Sequence, residues 1–303
     1  MSSDSLYAEL GLDFQPEERR MFLEEFADVV GSYKTSLGSE GGTEEGDVRL
    51  KNLSKELQEE TVHFVPQLPV EPLTRKVFTD LGLKPSANVD KLFKQWNFYS
   101  VKFPIHLHPK GEGWSFNRLE CIVEFSSGQP SAKLPVAYQI FPDAIWEEVL
   151  NVSLELRVVV DESLKFKLDP GQAEILSKLP AAIKTEVALA SGAKAILGPF
   201  DHRILKSKVF TSGCGDVKVR WDLKGEGQIL QKDPSLGVIL QVPKTVSRVD
   251  AIGVMAAYRT FDFWNTDLSY VMQFLSERTQ NFMKLGAPAK PDPQSWDDIT
   301  AGV

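Results

Sequence analysis

The sequence predicts an α+β chain: N-terminal helices, then an antiparallel β-sandwich of about ten strands, then a C-terminal amphipathic helix. Three observations predict it. Ahead of position 95 apolar residues recur at helical spacing, whereas from Trp96 onward they recur at every second position. The alternating stretches also keep one polar face and are joined by short Gly/Ser/Asp-rich turns, the pattern of antiparallel rather than doubly buried parallel strands.

Residues 16–30 form the first long helix expected. Pro16 suits the first helical position, Glu17 and Glu18 complement the positive end of the dipole, Gly31 stops the run, and Phe22, Phe26, Val29 and Val30 make one stripe. Leu6, Leu10 and Leu12 suggest a short preceding turn. Residues 36–47 hold four of the 21 glycines and almost no apolar surface, so they read as a flexible linker. Stretches 48–60 and 72–95 read as further helices, divided by Pro66, Pro69 and Pro72. The expected organisation is a helical region over 1–95, a β-sandwich body over 96–286 closed by a helix at 266–285, and a Pro-rich acidic tail over 287–303.

Within the body, Leu150 to Val160 alternate most cleanly. Leu119, Cys121, Val123 and Phe125 alternate with Arg118, Glu120 and Glu124, and Val217, Val219, Trp221 and Leu223 alternate with Lys218, Arg220, Asp222 and Lys224. The charged partners are expected to face water. Further strands are expected near 99–107, 134–141, 164–168, 184–198, 202–210, 228–231, 237–242 and 248–258. For the closing helix, Asn265 or Thr266 supplies a cap, Leu268, Val271, Met272, Leu275 and Phe282 a stripe, and Gly286 a stop.

With 303 residues, 42% apolar and 25% charged, the chain has the composition of a soluble globular protein. A net charge of -8 argues against a broad phosphate-binding face, so no nucleic-acid partner is expected. Cys121 and Cys214 form no CxxC pair, and neither a disulfide framework nor a structural zinc site is written. The Met-Ser-Ser-Asp start carries no signal-peptide pattern and no uncharged apolar run approaches about 18 residues, which makes a cytoplasmic location the expectation.

The chemistry-bearing residues are few. His106 and His108 point to one side of a strand, and Glu112 follows in the next turn, so the three can converge on a metal ion, with His202 as a distant fourth ligand. The spacing His-x-His-x-x-x-Glu resembles the first half of the cupin metal motif over seven residues; that motif's flanking glycines are replaced here by Ser100 and Leu119. The same histidines share a polar face with Lys102, which a solvated strand explains without a metal. His63 stands alone in an apolar setting and reads as structural. Cys121 falls on the inward parity as an inert packing thiol, and Cys214, between Gly213 and Gly215, as a turn residue. No nucleophile elbow, phosphate loop or dinucleotide fingerprint is present, so no cofactor is expected.

The function expected from this pattern is a non-enzymatic binding or assembly protein that works through a protein partner or self-association, with no small-molecule substrate. In the tail, Trp296 and Ile299 are candidate partner anchors, against the simpler alternative that they fold back on their own domain. Two other functions compete. One is a metal-dependent enzyme at His106, His108, Glu112 and His202; the other is a membrane-active pore-former using the long alternating stretch 181–210.

Overall fold

A computed structural model describes residues 3–10, 24, 25, 28, 62–80, 84, 86–107, 114–128, 133–141, 155–160, 166–168, 197–201, 207–225, 234–261, 287–289 and 292–301. They are mostly antiparallel β-sheet with few helices. The helices are α1 (Ser3–Glu9), α2 (Arg75–Asp80) and α3 (Ala87–Gln95). The strands are β1 (Val62–Phe64), β2 (Val70–Pro72), β3 (Trp96–Leu107), β4 (Trp114–Ser126), β5 (Val136–Phe141), β6 (Glu155–Val160), β7 (Phe166–Leu168), β8 (Leu197–Asp201), β9 (Ser207–Ser212), β10 (Lys218–Gly225), β11 (Ser235–Pro243), β12 (Asp250–Phe261), β13 (Ala287–Ala289) and β14 (Gln294–Trp296).

The first sheet runs β1-β3-β11-β5, with β2 also on β3. The second runs β13-β12-β4-β10-β9, with β14 also on β12, and β7-β6-β8 make a third, small sheet. Every pairing is antiparallel. The first two sheets meet face to face through inward aromatics. Phe103 of β3 lies 6.2 Å from Phe125 of β4, 6.1 Å from Trp221 of β10 and 5.5 Å from Trp296 of β14, ring centre to ring centre. Such tilted and edge contacts suit the ring quadrupoles, and each of these large side chains buries much apolar surface. One buried polar group is matched: the Trp221 indole donates to the Phe141 carbonyl at 3.0 Å.

The alternation from Leu119 onward has a visible cause. Tyr258 faces Arg118 and Arg259 faces Phe116, so Asn117 is an extra residue between them, a β-bulge that switches which parity points inward. Phe116 is buried, and beyond the bulge Leu119, Cys121, Val123 and Phe125 all enter the core. Cys121 has no exposure, and burial, with Glu120 and Asp222 nearby, pushes its thiol well up, as the inward parity leads one to expect.

Each large sheet carries a short helix on its outer face. On the first, α3 packs Phe93 edge-on against Phe98 at 5.5 Å, and the Ser86 side chain caps it by accepting from the Val89 N–H at 3.3 Å. On the second sheet, α1 buries Leu6, Tyr7 and Leu10 against Ile122, Val254 and Ala256.

Several expectations differ from this arrangement. The stretch 72–95 holds α2 and α3, beginning at the last residue of β2, Pro72. The Pro-rich acidic tail contributes β13 and β14, both paired to β12. Of the helix expected over 16–30, Glu24, Glu25 and Asp28 are described, and all three are helical. The linker at 36–47, the stretch 48–60, the strand at 228–231 and the closing helix at 266–285 lie outside the described residues. No helix among the described residues is long and apolar enough to cross a membrane.

Candidate functional site

The outer face of β4, β10 and β12 was expected to face water. Instead Glu120 is 1% exposed and Glu124 3%, both sunk into a surface that α1 partly covers. Burying a carboxylate is costly unless its oxygens are matched, and those of Glu120 are matched closely. Its Oε1 accepts from Arg118 Nη2 and Arg220 Nη2, both at 2.8 Å, and its Oε2 accepts from the Tyr258 hydroxyl at 2.8 Å. Arg118 also forks onto Asp222, from Nε at 2.9 Å and Nη2 at 3.0 Å, while its guanidinium sits 5.1 Å over the Tyr258 ring.

The strand register explains why these groups converge. Asp222 lies directly opposite Glu120, and Lys218 opposite Glu124, while Arg220 and Tyr258 reach Glu120 along the diagonals. Burial pushes the Tyr258 phenol well above its ordinary range, and the bond to Glu120 pushes it further, so it stays a donor. Burial likewise raises the Glu124 carboxyl; Lys218 opposes the rise, and Glu9 and Asp216 reinforce it.

The charged network continues into α1. Arg220 Nη1 donates to the Glu9 carbonyl at 3.1 Å, and Lys218 Nζ pairs with the Glu9 carboxylate. Two cations thus sit at the helix's negative end, where the aligned peptide dipoles favour them. So short a helix does not persist in water unaided. It is ordered by its seat.

The residues singled out from sequence are placed unevenly. His106 is half-buried on β3, and His108, Glu112 and His202 lie outside the described residues. Among the described residues no group of three or more His, Cys, Asp or Glu side chains could hold a metal ion. His63, whose sequence neighbours suggest an apolar setting, is an exposed residue of β1 directly opposite His106, with ring centres 5.1 Å apart.

Trp296 and Ile299, the candidate partner anchors, are 6% and 8% exposed and sit within the chain's own core. Trp296 packs edge-on against Phe64 at 5.3 Å, its indole points at the Val65 carbonyl at 3.4 Å, and the Ile299 N–H donates to the Val249 carbonyl at 2.7 Å. This is the fold-back arrangement, not a presented anchor. Cys214 lies in the turn between β9 and β10, where Gly213 (φ 101°) permits a backbone approach that no Cβ could share. Of the stretch 181–210, residues 197–201 and 207–210 are described, as β8 and part of β9.

The sequence offered no direct sign of the Glu120 cluster, because its members read as ordinary polar-face charges. One signal was available. Basic and acidic residues interleave on the outward parity of two strands that pair antiparallel, which is how a cross-strand charge lattice is built.

No protein-family model matches the chain, and no curated protein matches it in sequence. Among solved structures, Clostridium perfringens delta-toxin superposes with a TM-score of 0.23 and 6% sequence identity, over 68% of this chain and 87% of that one. A superposition that loose transfers neither fold nor function.

Proposed function

We propose that the chain is a non-enzymatic binding or assembly protein that recognises a short amphipathic helix on the outer face of its second sheet. The observation that carries this reading is the seat itself: an apolar row of Ile122, Val254 and Ala256, flanked by Lys218 and Arg220, holding α1 by three side chains and a charged clamp. This is helix-in-groove recognition, in which apolar anchors spaced one turn apart give affinity and a charge fixes direction. Leu6 and Leu10 are the anchors and Glu9 is the charge. A partner helix of the same chemistry, from a second copy or from another protein, competes with α1 for the seat.

The test uses a fluorescein-labelled peptide of residues 1–12 in anisotropy titrations. Its partners are the full chain and a Leu6→Asp variant whose own helix is loosened, and the mass of each is followed by light scattering. The expected result is weak peptide binding by the wild type and tighter binding, or self-association, by the variant. If both proteins remain monomeric and neither captures the peptide, the reading is wrong.

A further inference from the structure

We infer that His63 and His106 together form a two-histidine site for a divalent first-row transition metal, clipping β1 to β3. The two residues are register partners on adjacent antiparallel strands, and both side chains leave the sheet on the face opposite the core. Their neighbours Val62, Phe64, Ile105 and Leu107 point inward and are buried, which fixes the direction of both imidazoles.

The spacing suits two ligands on one ion. With metal–nitrogen bonds of about 2.0 Å and roughly 1.2 Å from a ring nitrogen to the ring centre, two imidazoles on a tetrahedral ion have centres about 5.2 Å apart. The observed separation is 5.1 Å, with the rings tilted by 51° rather than stacked parallel. The sheet therefore holds the two rings close enough for both to reach one ion.

Lys102 shares this face of β3 but lies four residues from His106, about 13 Å along an extended strand. That exceeds the screening length of roughly 8–10 Å at moderate salt, so its repulsion of a cation is weak. Imidazole nitrogens suit copper, nickel, cobalt and zinc, and affinity for such a site rises from cobalt through nickel to copper. Among the described residues no group of three or more such side chains forms, so the site is argued on the two histidines alone. The site is independent of the helix seat, which lies on the other sheet.

The experiment is calorimetric titration of the untagged full chain with CuCl2, NiCl2 and CoCl2, repeated on His63→Ala and His106→Ala variants whose folding is checked by circular dichroism. The proposal expects one ion per chain, copper tighter than nickel and nickel tighter than cobalt. Each single substitution should weaken binding at least about tenfold, as removal of even an outer-shell partner commonly does. Nitrogen hyperfine structure from two imidazoles in the copper electron paramagnetic resonance spectrum supports it further. Absence of binding in the wild type overturns the proposal. So does binding that survives His63→Ala, which would place the ion on β3 without its neighbour.

Discussion

Replacing Gly253 by alanine tests how tightly the end of the chain is locked into the sandwich. A Cβ built at this β12 position lies 2.9 Å from Phe64 Cε2 and 2.9 Å from both Cη2 and Cζ3 of Trp296, closer than packed carbon atoms approach. Neither ring can swing aside easily, because Trp296 is wedged edge-on against Phe64 and Phe103. Overpacking of this kind costs about 1–3 kcal/mol, and the stiffer unfolded chain of the alanine variant returns about 0.4–1 kcal/mol. A net loss of about 1–2 kcal/mol follows. With a urea slope near 3 kcal/mol/M, the midpoint falls by about 0.3–0.7 M, measured by circular dichroism so that the tryptophan can also be varied. Trp296→Ala alone should cost about 3–5 kcal/mol. In the double variant the new methyl enters space vacated by the indole, so its loss should fall short of the sum by about 1 kcal/mol. A Gly253→Ala midpoint unchanged from wild type, or strict additivity with Trp296→Ala, refutes this packing argument.

Glu120→Ala removes three hydrogen bonds to a buried carboxylate, two of them from guanidinium groups that are about one-third exposed and keep partners at Asp222 and the Glu9 carbonyl, and by urea unfolding it should cost more than Tyr258→Phe, which removes one bond to a charged acceptor at about 1.5–3 kcal/mol; equal, small losses would contradict the arrangement around Glu120. Because burial raises the Glu124 carboxyl above its ordinary value of 4.5, the folded state binds its proton more tightly than the unfolded state does. That contribution is fully present below the ordinary value and is lost as pH rises through the raised one. Stability compared across mildly acidic buffers should show this slope in the wild type and lose it in Glu124→Gln. In a native thiol titration the exposed Cys214 should react at once and Cys121 only after unfolding, since Cys121 is fully buried with a raised thiol pKa; two rapid equivalents would contradict the inward placement of Cys121.

What could be read from the sequence follows the length and one-sidedness of each element. The runs 119–125 and 217–223 were legible because every inward residue is apolar and every outward one is polar over several repeats. Strands β1, β2, β13 and β14 span three residues each, fewer than the period needs to declare itself, and they exist because β3 and β12 offer them edges. The depth of Glu120 and Glu124 was not legible for another reason. Their cover comes from a helix more than a hundred residues away in sequence, and charged residues on an outward parity look the same whether or not anything lies over them. The pairing of His63 with His106 was missed in the same way, since it depends on which strand becomes the neighbour of β3. The sequence leaves the placement of Trp296 open because its deciding partners, Gly253 and Phe64, lie in different strands.

The position of Trp296 and Ile299 in the core also bears on biosynthesis. The core they complete begins at Val62, so the sandwich cannot reach its finished packing until the ribosome has released almost all of the intervening polypeptide. Up to that moment Phe64 and the core-facing side of β12 lack their aromatic lid, and the free margin of β12 remains open to strands of other nascent chains. Contacts between residues so far apart in sequence form more slowly than local ones. Until Trp296 closes over it, that unfinished margin is the place where one nascent chain can pair with another.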